Sequence, residues 1–202
     1  MTRIAHKTKG ADIRAQVRDA YSAVAREPAC RHPFPVGRAF AESVGYPAGL
    51  LDSLPGAAVE GFAGVSNVSY FADIPAGATV LDVGCGAGLD SIVAAQRTGP
   101  SGKVFGLDFS LCMLDRARRA VGDAGLANVE FRQAEAERLP VADTSIDVAL
   151  VNGIFNLNPD RGAIFGELAR VLRPGGSLFC AELILTEPLS ADEAACPTNW
   201  FA

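Results

Sequence analysis

The feature that most constrains the fold is a glycine-rich turn between a short apolar segment and a helical pattern. Residues 79–83 predict a buried strand, and glycine then recurs at every second position, Gly84, Gly86 and Gly88. Apolar residues at helical spacing follow over 89–96 and predict a helix. This order forms a nucleotide-binding corner, because a ligand can approach backbone without a Cβ and the helix N-terminus offers amide donors.

The residues of this turn discriminate between nucleotide ligands. A dinucleotide fingerprint requires a third glycine at the position of Leu89, and a phosphate loop requires a lysine just before Ser91. Neither is present, and the nearby carboxylates of Asp82 and Asp90 would repel a triphosphate. An adenosyl ligand whose other end is a cationic amino acid suits this acidic corner. The predicted contacts of the corner are Asp82, Gly84, Cys85, Gly86 and Gly88.

Two motifs carry a resemblance to a known family. The segment Val80-Leu-Asp-Val-Gly-Cys-Gly-Ala-Gly88 resembles the first motif of class I S-adenosylmethionine-dependent methyltransferases. The segment Glu167-Leu-Ala-Arg-Val-Leu-Arg-Pro-Gly-Gly176 is typical of the same class, so the resemblance extends over residues 77–187. It implies S-adenosyl-L-methionine as cofactor and transfer of its methyl group to a small-molecule acceptor.

The second half of the chain predicts alternating strands and helices. The strands are predicted at 79–83, 104–108, 129–133, 146–151 and 177–183, and the helices at 89–98, 110–124 and 160–172. Such alternation predicts an α/β fold, Rossmann-like and doubly wound, with a mainly parallel sheet and helices on both faces. Ligands bind such a sheet at the carboxyl ends of its strands.

The first part of the chain predicts a helical extension. Residues 1–74 are expected to form an N-terminal extension and lid, and residues 75–202 the S-adenosylmethionine-binding domain. After an unstructured start, a helix is predicted from Asp12, as its N-cap, to just before Pro28. Short helices are predicted at 38–44, 48–54 and 67–73, and a glycine-rich loop over the cofactor at 56–69.

Side chains after the predicted strands supply the candidate site. Asp108 ends the second strand, where a carboxylate can accept hydrogen bonds from both ribose hydroxyls, and its alternative role is to cap a helix. Phe109 and Met113 would cover the adenine ring, unless they are ordinary core residues. The resemblance implies that Glu135, which follows Ala134, accepts a hydrogen bond from the adenine amino group. The alternative for Glu135 is a solvated charge in a loop.

No residue is identified by the sequence as a catalytic base, and two residues are candidates for contact with the reacting groups. Asn152 follows the fourth strand, at the edge of the expected sulfonium pocket. Tyr21 on the N-terminal helix could fold over the site, although a packing role accounts for it equally well. A dedicated base is unnecessary if the acceptor is a thiolate, a carbanion or a metalloid.

A closer resemblance is to the arsenite methyltransferase branch. It rests on Asn152-Gly-Ile-Phe-Asn-Leu-Asn-Pro-Asp160 and on Gly61-Phe-Ala-Gly-Val-Ser-Asn67. That branch carries a cysteine where Gly153 stands, and paired cysteines near the N-terminus, where Cys30 stands alone. A trivalent metalloid requires thiolate ligands. Metalloid transfer and a non-catalytic S-adenosylmethionine-binding module therefore remain alternatives to the small-molecule enzyme, and Leu89 disfavours a nicotinamide-dependent oxidoreductase.

Composition limits partners and location. The chain has 202 residues, a net charge of −5, five scattered cysteines and no apolar run of membrane-spanning length. These values predict a reduced, cytoplasmic protein that binds neither nucleic acid nor membrane, with no metal site. The resemblance implies a further helix and two strands after 177–183, and residues 186–202 are too few for them. An incomplete C-terminal sheet edge is expected, and with it a homodimer through that edge.

Overall fold

In the computed structural model the described residues are 2–184 and 186–187, with side chains described from Ile13. The strands are β1 (Thr79–Val83), β2 (Lys103–Asp108), β3 (Val129–Gln133), β4 (Ile146–Asn152) and β5 (Leu172–Ala181). The helices are α1 (Thr2–Arg26), α2 (Arg38–Ser43), α3 (Ala48–Asp52), α4 (Gly56–Glu60), α5 (Val68–Phe71), α6 (Leu89–Thr98), α7 (Leu111–Asp123) and α8 (Arg161–Val171).

The five strands form one parallel sheet in the order β3-β2-β1-β4-β5. The chain moves outward from β1 through β2 to β3, and then returns to the other side of β1 as β4. The connections therefore diverge between β1 and β4 and leave a crevice at their carboxyl ends. The predicted Rossmann-like, doubly wound fold is confirmed.

Helices cover both faces of the sheet because its strands alternate their apolar side chains. On one face Val80 and Val104 pack in one cluster with residues of α5 and α6. On the other face Leu81 and Val83 pack in a second cluster with Ile164 and other residues of α8. A strand buried on both faces carries apolar residues at successive positions, as β1 does at Val80 and Leu81.

Local capping fixes the ends of the helices at the crevice. Gly88 has φ 87° and precedes α6, and the Ser110 hydroxyl oxygen accepts a hydrogen bond from the Met113 N–H at the start of α7. The Asp160 carboxylate caps α8 in the same way, accepting from the Ala163 N–H. The bounds predicted for these helices are correct to within one residue.

Three predicted boundaries are wrong. Helix α1 begins at Thr2, so neither the unstructured start nor the Asp12 N-cap holds, because lysine, arginine and alanine favour helix along this segment. The predicted 56–69 loop contains α4, whose Ala58 is fully buried. Strand β5 begins at Leu172, which pairs with Ile146 before an irregularity that ends at Ser177.

Arg116 joins the N-terminal segment to the sheet domain. It is 8% exposed on α7, and its guanidinium donates to the carbonyl oxygens of Ala57 (2.6 Å) and Ala25 (3.3 Å). These carbonyls lie in the last turns of α4 and α1, where the helix leaves acceptors without partners. A third contact, 2.7 Å long, reaches the Glu60 carboxylate. The one guanidinium therefore provides donors to carbonyl oxygens at the C-terminal ends of two helices. The division of the chain at residues 74 and 75 stays a prediction.

Strand β5 is the outermost strand of the described sheet. Among the described residues it pairs with β4 alone. Residues 188–202 lie outside the described part of the chain, so the predicted incomplete edge and the homodimer through it stay predictions. Within residues 2–184 and 186–187, no helix is long and apolar enough to cross a membrane.

Candidate functional site

A cavity lies at the carboxyl ends of the strands, beside the crevice between β1 and β4. Its free volume, including the open mouth, is about 1040 Å³. The predicted site residues that line it are Gly84, Cys85, Gly86, Asp108, Phe109, Met113, Ala134, Glu135, Asn152 and Tyr21. Asp82 and Gly88 are absent from this lining, and their contact with a ligand stays a prediction.

The three glycines of the turn serve different purposes. All have positive φ, 76° at Gly84, 51° at Gly86 and 87° at Gly88. A Cβ on Gly86 would meet no heavy atom within 4 Å, and Gly86 lines the cavity, so its missing side chain leaves room there. A Cβ on Gly84 would collide with Ile154, and one on Gly88 would lie 3.0 Å from the Ala117 Cβ. Gly84 and Gly88 therefore permit close packing of the turn itself.

Asp108 joins the end of β2 to the glycine turn. Its Oδ2 accepts a hydrogen bond from the Gly86 N–H (2.9 Å), and its Oδ1 accepts from the Ser110 N–H (2.8 Å). Burial raises the pKa of this carboxyl to about 6, against the lowering effect of these bonds, and Glu135 adds to the rise. Each carboxylate oxygen keeps a further lone pair, so both can still accept from ligand hydroxyls. Asp108 thus orders the segment that precedes α7, and its contact with the ribose hydroxyls stays a prediction.

The carboxylates of Asp82, in β1, and Asp90, in the first turn of α6, differ in their positions. Asp82 is buried and accepts a hydrogen bond of 2.5 Å from the Ser91 hydroxyl. Burial raises the pKa of Asp82 well above its ordinary value, and the nearby Asp90 adds to this. Asp90 lines the cavity, where it accepts from the Tyr46 hydroxyl and the Ser69 N–H. The acidic corner was predictable from the sequence, but these distant partners of Asp90 have no local signal.

The Asn152 side chain fixes the loop at 64–66. Its Oδ1 accepts from the Val65 N–H (2.8 Å) and the Ser66 N–H (3.1 Å). Its Nδ2 donates to the Ser66 carbonyl oxygen (2.7 Å) and to Asp90 Oδ2 (2.9 Å). A primary amide has two donors and two acceptor lone pairs, so these bonds occupy all of them. The structure therefore gives Asn152 a positioning role in the cavity wall.

Tyr21 brings a phenol to the cavity from α1. Its ring stacks on Phe34 with a centroid separation of 4.7 Å. Among the described residues, none forms a hydrogen bond with the Tyr21 hydroxyl. Burial raises the pKa of Tyr21, and Asp108 and Glu182 raise it further. The hydroxyl consequently keeps its proton near neutral pH and can act as a donor.

Helix α1 covers the side of the cavity where Glu135 lies. The Arg18 guanidinium is 3.3 Å from the Glu135 carboxylate and 5.7 Å from the centre of the Phe109 ring. One turn earlier, Arg14 forms an ion pair with Glu137. Glu135 is therefore not a solitary solvated charge, although both it and Arg18 remain about half exposed. The sequence did not predict these contacts, because they join residues about ninety or more positions apart.

The cysteines of the described residues do not converge. Cys85 lines the cavity, and burial raises the pKa of its thiol well above the ordinary value. Cys30 is exposed, and its hydrogen bond to Glu27 raises its pKa. Cys112 is only partly buried, and Cys180 is exposed on β5. Cys196 lies outside the described residues.

The position at which the arsenite branch carries a cysteine is closely packed here. Gly153 has φ 80°, and a Cβ on it would lie 2.9 Å from the Val65 Cγ1. A cysteine would therefore strain the backbone and displace Val65. Within the described residues, no group of three or more histidine, cysteine, aspartate or glutamate side chains could hold a metal ion.

Comparisons with known proteins give consistent matches. The methyltransferase domain family matches residues 74–199. An arsenite methyltransferase of Halobacterium salinarum is 41% identical over 158 residues, which is 78% of this chain and 40% of that protein. A demethylmenaquinone methyltransferase of Listeria welshimeri is 44% identical over 107 residues, 52% of this chain and 45% of that protein.

A solved structure is similar over most of the chain. It is that of an arsenic(III) S-adenosylmethionine methyltransferase from Chlamydomonas reinhardtii, with a TM-score of 0.60 and 29% identity. The match covers 81% of this chain and 54% of that one. The chain spans less than half the length of the two curated relatives described above.

Proposed function

The chain belongs to the S-adenosylmethionine-dependent methyltransferases, and on that premise we propose that it transfers a methyl group to a small-molecule acceptor. The cofactor of this family supplies a methyl group that the positive charge of its sulfonium activates. The observation that carries the proposal is the junction of Asp108 with the glycine turn. There the buried Asp108 carboxylate keeps free lone pairs and accepts a hydrogen bond from the Gly86 N–H. Because Gly86 has no side chain, space for a ligand remains beside it in the cavity.

The residues of the cavity fit an adenosyl ligand. Asp108 would accept from the ribose hydroxyls, and Phe109 and Met113 offer apolar surface to the adenine ring. Glu135 could accept from the adenine amino group, and Asp90 supplies negative charge for a cationic amino acid. The polar matches, at Asp108, Glu135 and Asp90, each pair a donor or a positive charge of the ligand with a carboxylate of the chain.

The contribution of the chain to the reaction is positioning and exclusion of water. Because the donor is already activated, holding both reactants in line can supply up to about 7–11 kcal/mol of the barrier reduction. Helix α1 and the loop held by Asn152 enclose the cavity for this purpose. The proposal requires no metal.

Calorimetry with S-adenosylhomocysteine, the demethylated cofactor, tests the cofactor site. Asp108→Ala should weaken binding by about 1–3 kcal/mol, the usual loss for a hydrogen bond to a charged group. Asp123→Ala, which changes an exposed aspartate at the end of α7, should bind normally. Equal affinities of the two variants would remove Asp108 from the site. Mass spectrometry of the purified protein should also find retained cofactor.

Turnover distinguishes the enzyme from a non-catalytic binding module. Incubation of the protein with a cell extract and methyl-labelled cofactor should give a labelled small molecule. Binding of S-adenosylhomocysteine without any labelled product would support the binding module and contradict the enzyme. Cytoplasmic location, the homodimer and the absence of nucleic-acid binding remain predictions of the sequence.

Arsenite methylation is the second candidate, and similarity favours it. A relative with that name is 41% identical to the chain. The chemistry of the described cysteines argues against it, because Cys30 is exposed and only Cys85 lines the cavity. One thiolate holds a trivalent metalloid poorly. We therefore place an organic acceptor first.

A further inference from the structure

A second pocket adjoins the cofactor cavity. Its free volume, including the mouth, is about 500 Å³. It shares Tyr21, Ala63, Gly64, Gly153 and Leu157 with the lining of the first cavity. Two glycines at this shared boundary leave little side-chain bulk between the two spaces. A molecule in the second pocket would therefore lie next to a ligand in the first.

The wall of the second pocket is mainly aromatic and aliphatic. The Tyr21 ring stacks on Phe34, and Phe40 also lines the space. Among the described residues, Glu182 is its only charged lining side chain, and no lysine, arginine or cysteine belongs to the lining. An anionic acceptor would meet the Glu182 carboxylate without a compensating cation. A thiophilic metalloid would find no ligand on this wall.

Glu182 is held in place at the end of β5. It follows the last residue of that strand, at the edge of the sheet where ligands bind. Its Oε2 accepts from the Asn156 N–H (3.1 Å), and its Oε1 accepts from the Leu183 N–H (3.0 Å). Each oxygen can accept one more hydrogen bond. The carboxylate is thus fixed by backbone donors and still able to receive a proton donor from the pocket.

We propose that this second pocket is the methyl-acceptor site, that its acceptor is a neutral aromatic alcohol, and that the acceptor hydroxyl donates to Glu182. The inference rests on the proposed function and names its substrate class. The aromatic wall packs against the acceptor ring, and Tyr21 lies at the boundary between donor and acceptor. Because Tyr21 keeps its proton, it orients the acceptor oxygen as a hydrogen-bond donor and is not the base.

The reaction balances with Glu182 as proton acceptor. A lone pair of the acceptor oxygen forms the new bond to the methyl carbon, while the bond from that carbon to sulfur breaks and its electron pair stays on sulfur. The hydroxyl proton passes to the Glu182 carboxylate and then to water. The products are an aryl methyl ether, a neutral thioether and one proton.

A single hydroxyl suits this pocket better than an ammonium group does. An ammonium has three donors that need acceptors when it is buried, and the Glu182 carboxylate, whose oxygens each accept one backbone bond, has room for only two more. A buried donor that is left unpaired weakens binding, because it gives up its hydrogen bond to water without a replacement. A phenol brings one donor, which Glu182 satisfies, and one acceptor, which Tyr21 satisfies.

Ligand-observed NMR titrations of the full chain, saturated with S-adenosylhomocysteine, test the proposal without turnover. The probes are phenol, benzylamine and benzoate, which share a ring and differ in charge and donors. Phenol should bind most tightly, and Glu182→Gln should weaken it about tenfold, since a neutral amide replaces a charged acceptor. Glu187→Gln, an exposed glutamate outside both pockets, is the matched control and should bind phenol normally. Phe34→Leu should weaken all three probes.

The outcomes separate this proposal from the function on which it rests. Tighter binding of benzylamine or benzoate than of phenol would overturn the aromatic alcohol. Unchanged phenol affinity in Glu182→Gln would remove Glu182 from the acceptor site. If S-adenosylhomocysteine binds but none of the probes does, the acceptor site is refuted and the cofactor site stands. If S-adenosylhomocysteine itself does not bind, the proposed function fails first.

Discussion

The affinity for S-adenosylhomocysteine should depend on pH through Asp108. In the ligand-free protein the pKa of this buried carboxyl is raised to about 6 from its ordinary 3.8. The ribose hydroxyls are donors, so they bind the ionised carboxylate better than the protonated acid. Affinity should therefore be full above this pKa and should fall as the pH drops through it.

The size of the effect follows from the fraction of ionised Asp108. One pH unit below a pKa of about 6, roughly a tenth of the carboxyl groups remain ionised, which corresponds to about 1.4 kcal/mol of binding free energy. Binding should thus weaken up to about tenfold between pH 7.5 and pH 5. When only a fraction of the protein molecules carries the ionised Asp108 that binds the ligand, the apparent affinity is reduced by that fraction.

Calorimetry of the protein and of Asp108→Asn between pH 5 and pH 8 isolates this contribution. Other groups of the protein and the ligand titrate in both proteins, so the difference between the two curves reports Asp108. The variant should bind less tightly at pH 7.5, and its affinity should vary less with pH. Parallel curves for the two proteins would refute the assignment of Asp108 as the titrating acceptor.

Three further outcomes are expected. Gly86→Val should abolish S-adenosylhomocysteine binding in calorimetry, and normal binding by this variant would mean that the turn only connects β1 to α6. The control is Gly125→Val, at a glycine with a similar positive φ and open space outside the cavity, which should lower stability without affecting binding. Asn152→Ala should lower the free energy of unfolding by about 1–3 kcal/mol in denaturant titrations, because the Val65 N–H loses its acceptor; an unchanged midpoint would contradict this. Methylation assays with arsenite and a thiol should show little product, and robust turnover that disappears in Cys30→Ser would refute the preference for an organic acceptor.

The parts of the fold that depend on local sequence were predictable. Gly88 and Ser110 mark helix starts that need only neighbouring residues, and the structure places α6 and α7 there. Strand β5 was misplaced because Leu172 pairs with β4 across an irregularity, and strand pairing depends on a partner distant in sequence. The early start of α1 is not evident from the sequence, because the first ten residues are basic and polar and lack a pattern of apolar residues at helical spacing.

The same distinction between local and long-range contacts applies to the candidate site. The glycine turn and Asp108 were predictable because each follows a strand whose pattern is visible in the local sequence, and the structure joins them through the Gly86 N–H. Asn152 forms hydrogen bonds with the 64–66 loop, and Arg18 of α1 forms an ion pair with Glu135. Both contacts join segments that are distant in sequence and that only the fold brings together. Glu182 carried no motif, and its position beside Tyr21 depends on where β5 ends.

The Arg116 contacts bear on how the protein opens in solution. A guanidinium that is 8% exposed and bound to carbonyl oxygens of α1 and α4 cannot leave one helix without losing part of its desolvated shell. Partial release of the N-terminal segment would strand this charge in apolar surroundings. In native-state hydrogen exchange, the amides near the end of α1 should consequently share the opening free energy of α7, as one cooperative unit. The exchange rate of α1, which covers the cavity, would then indicate whether the sheet domain beneath it is folded.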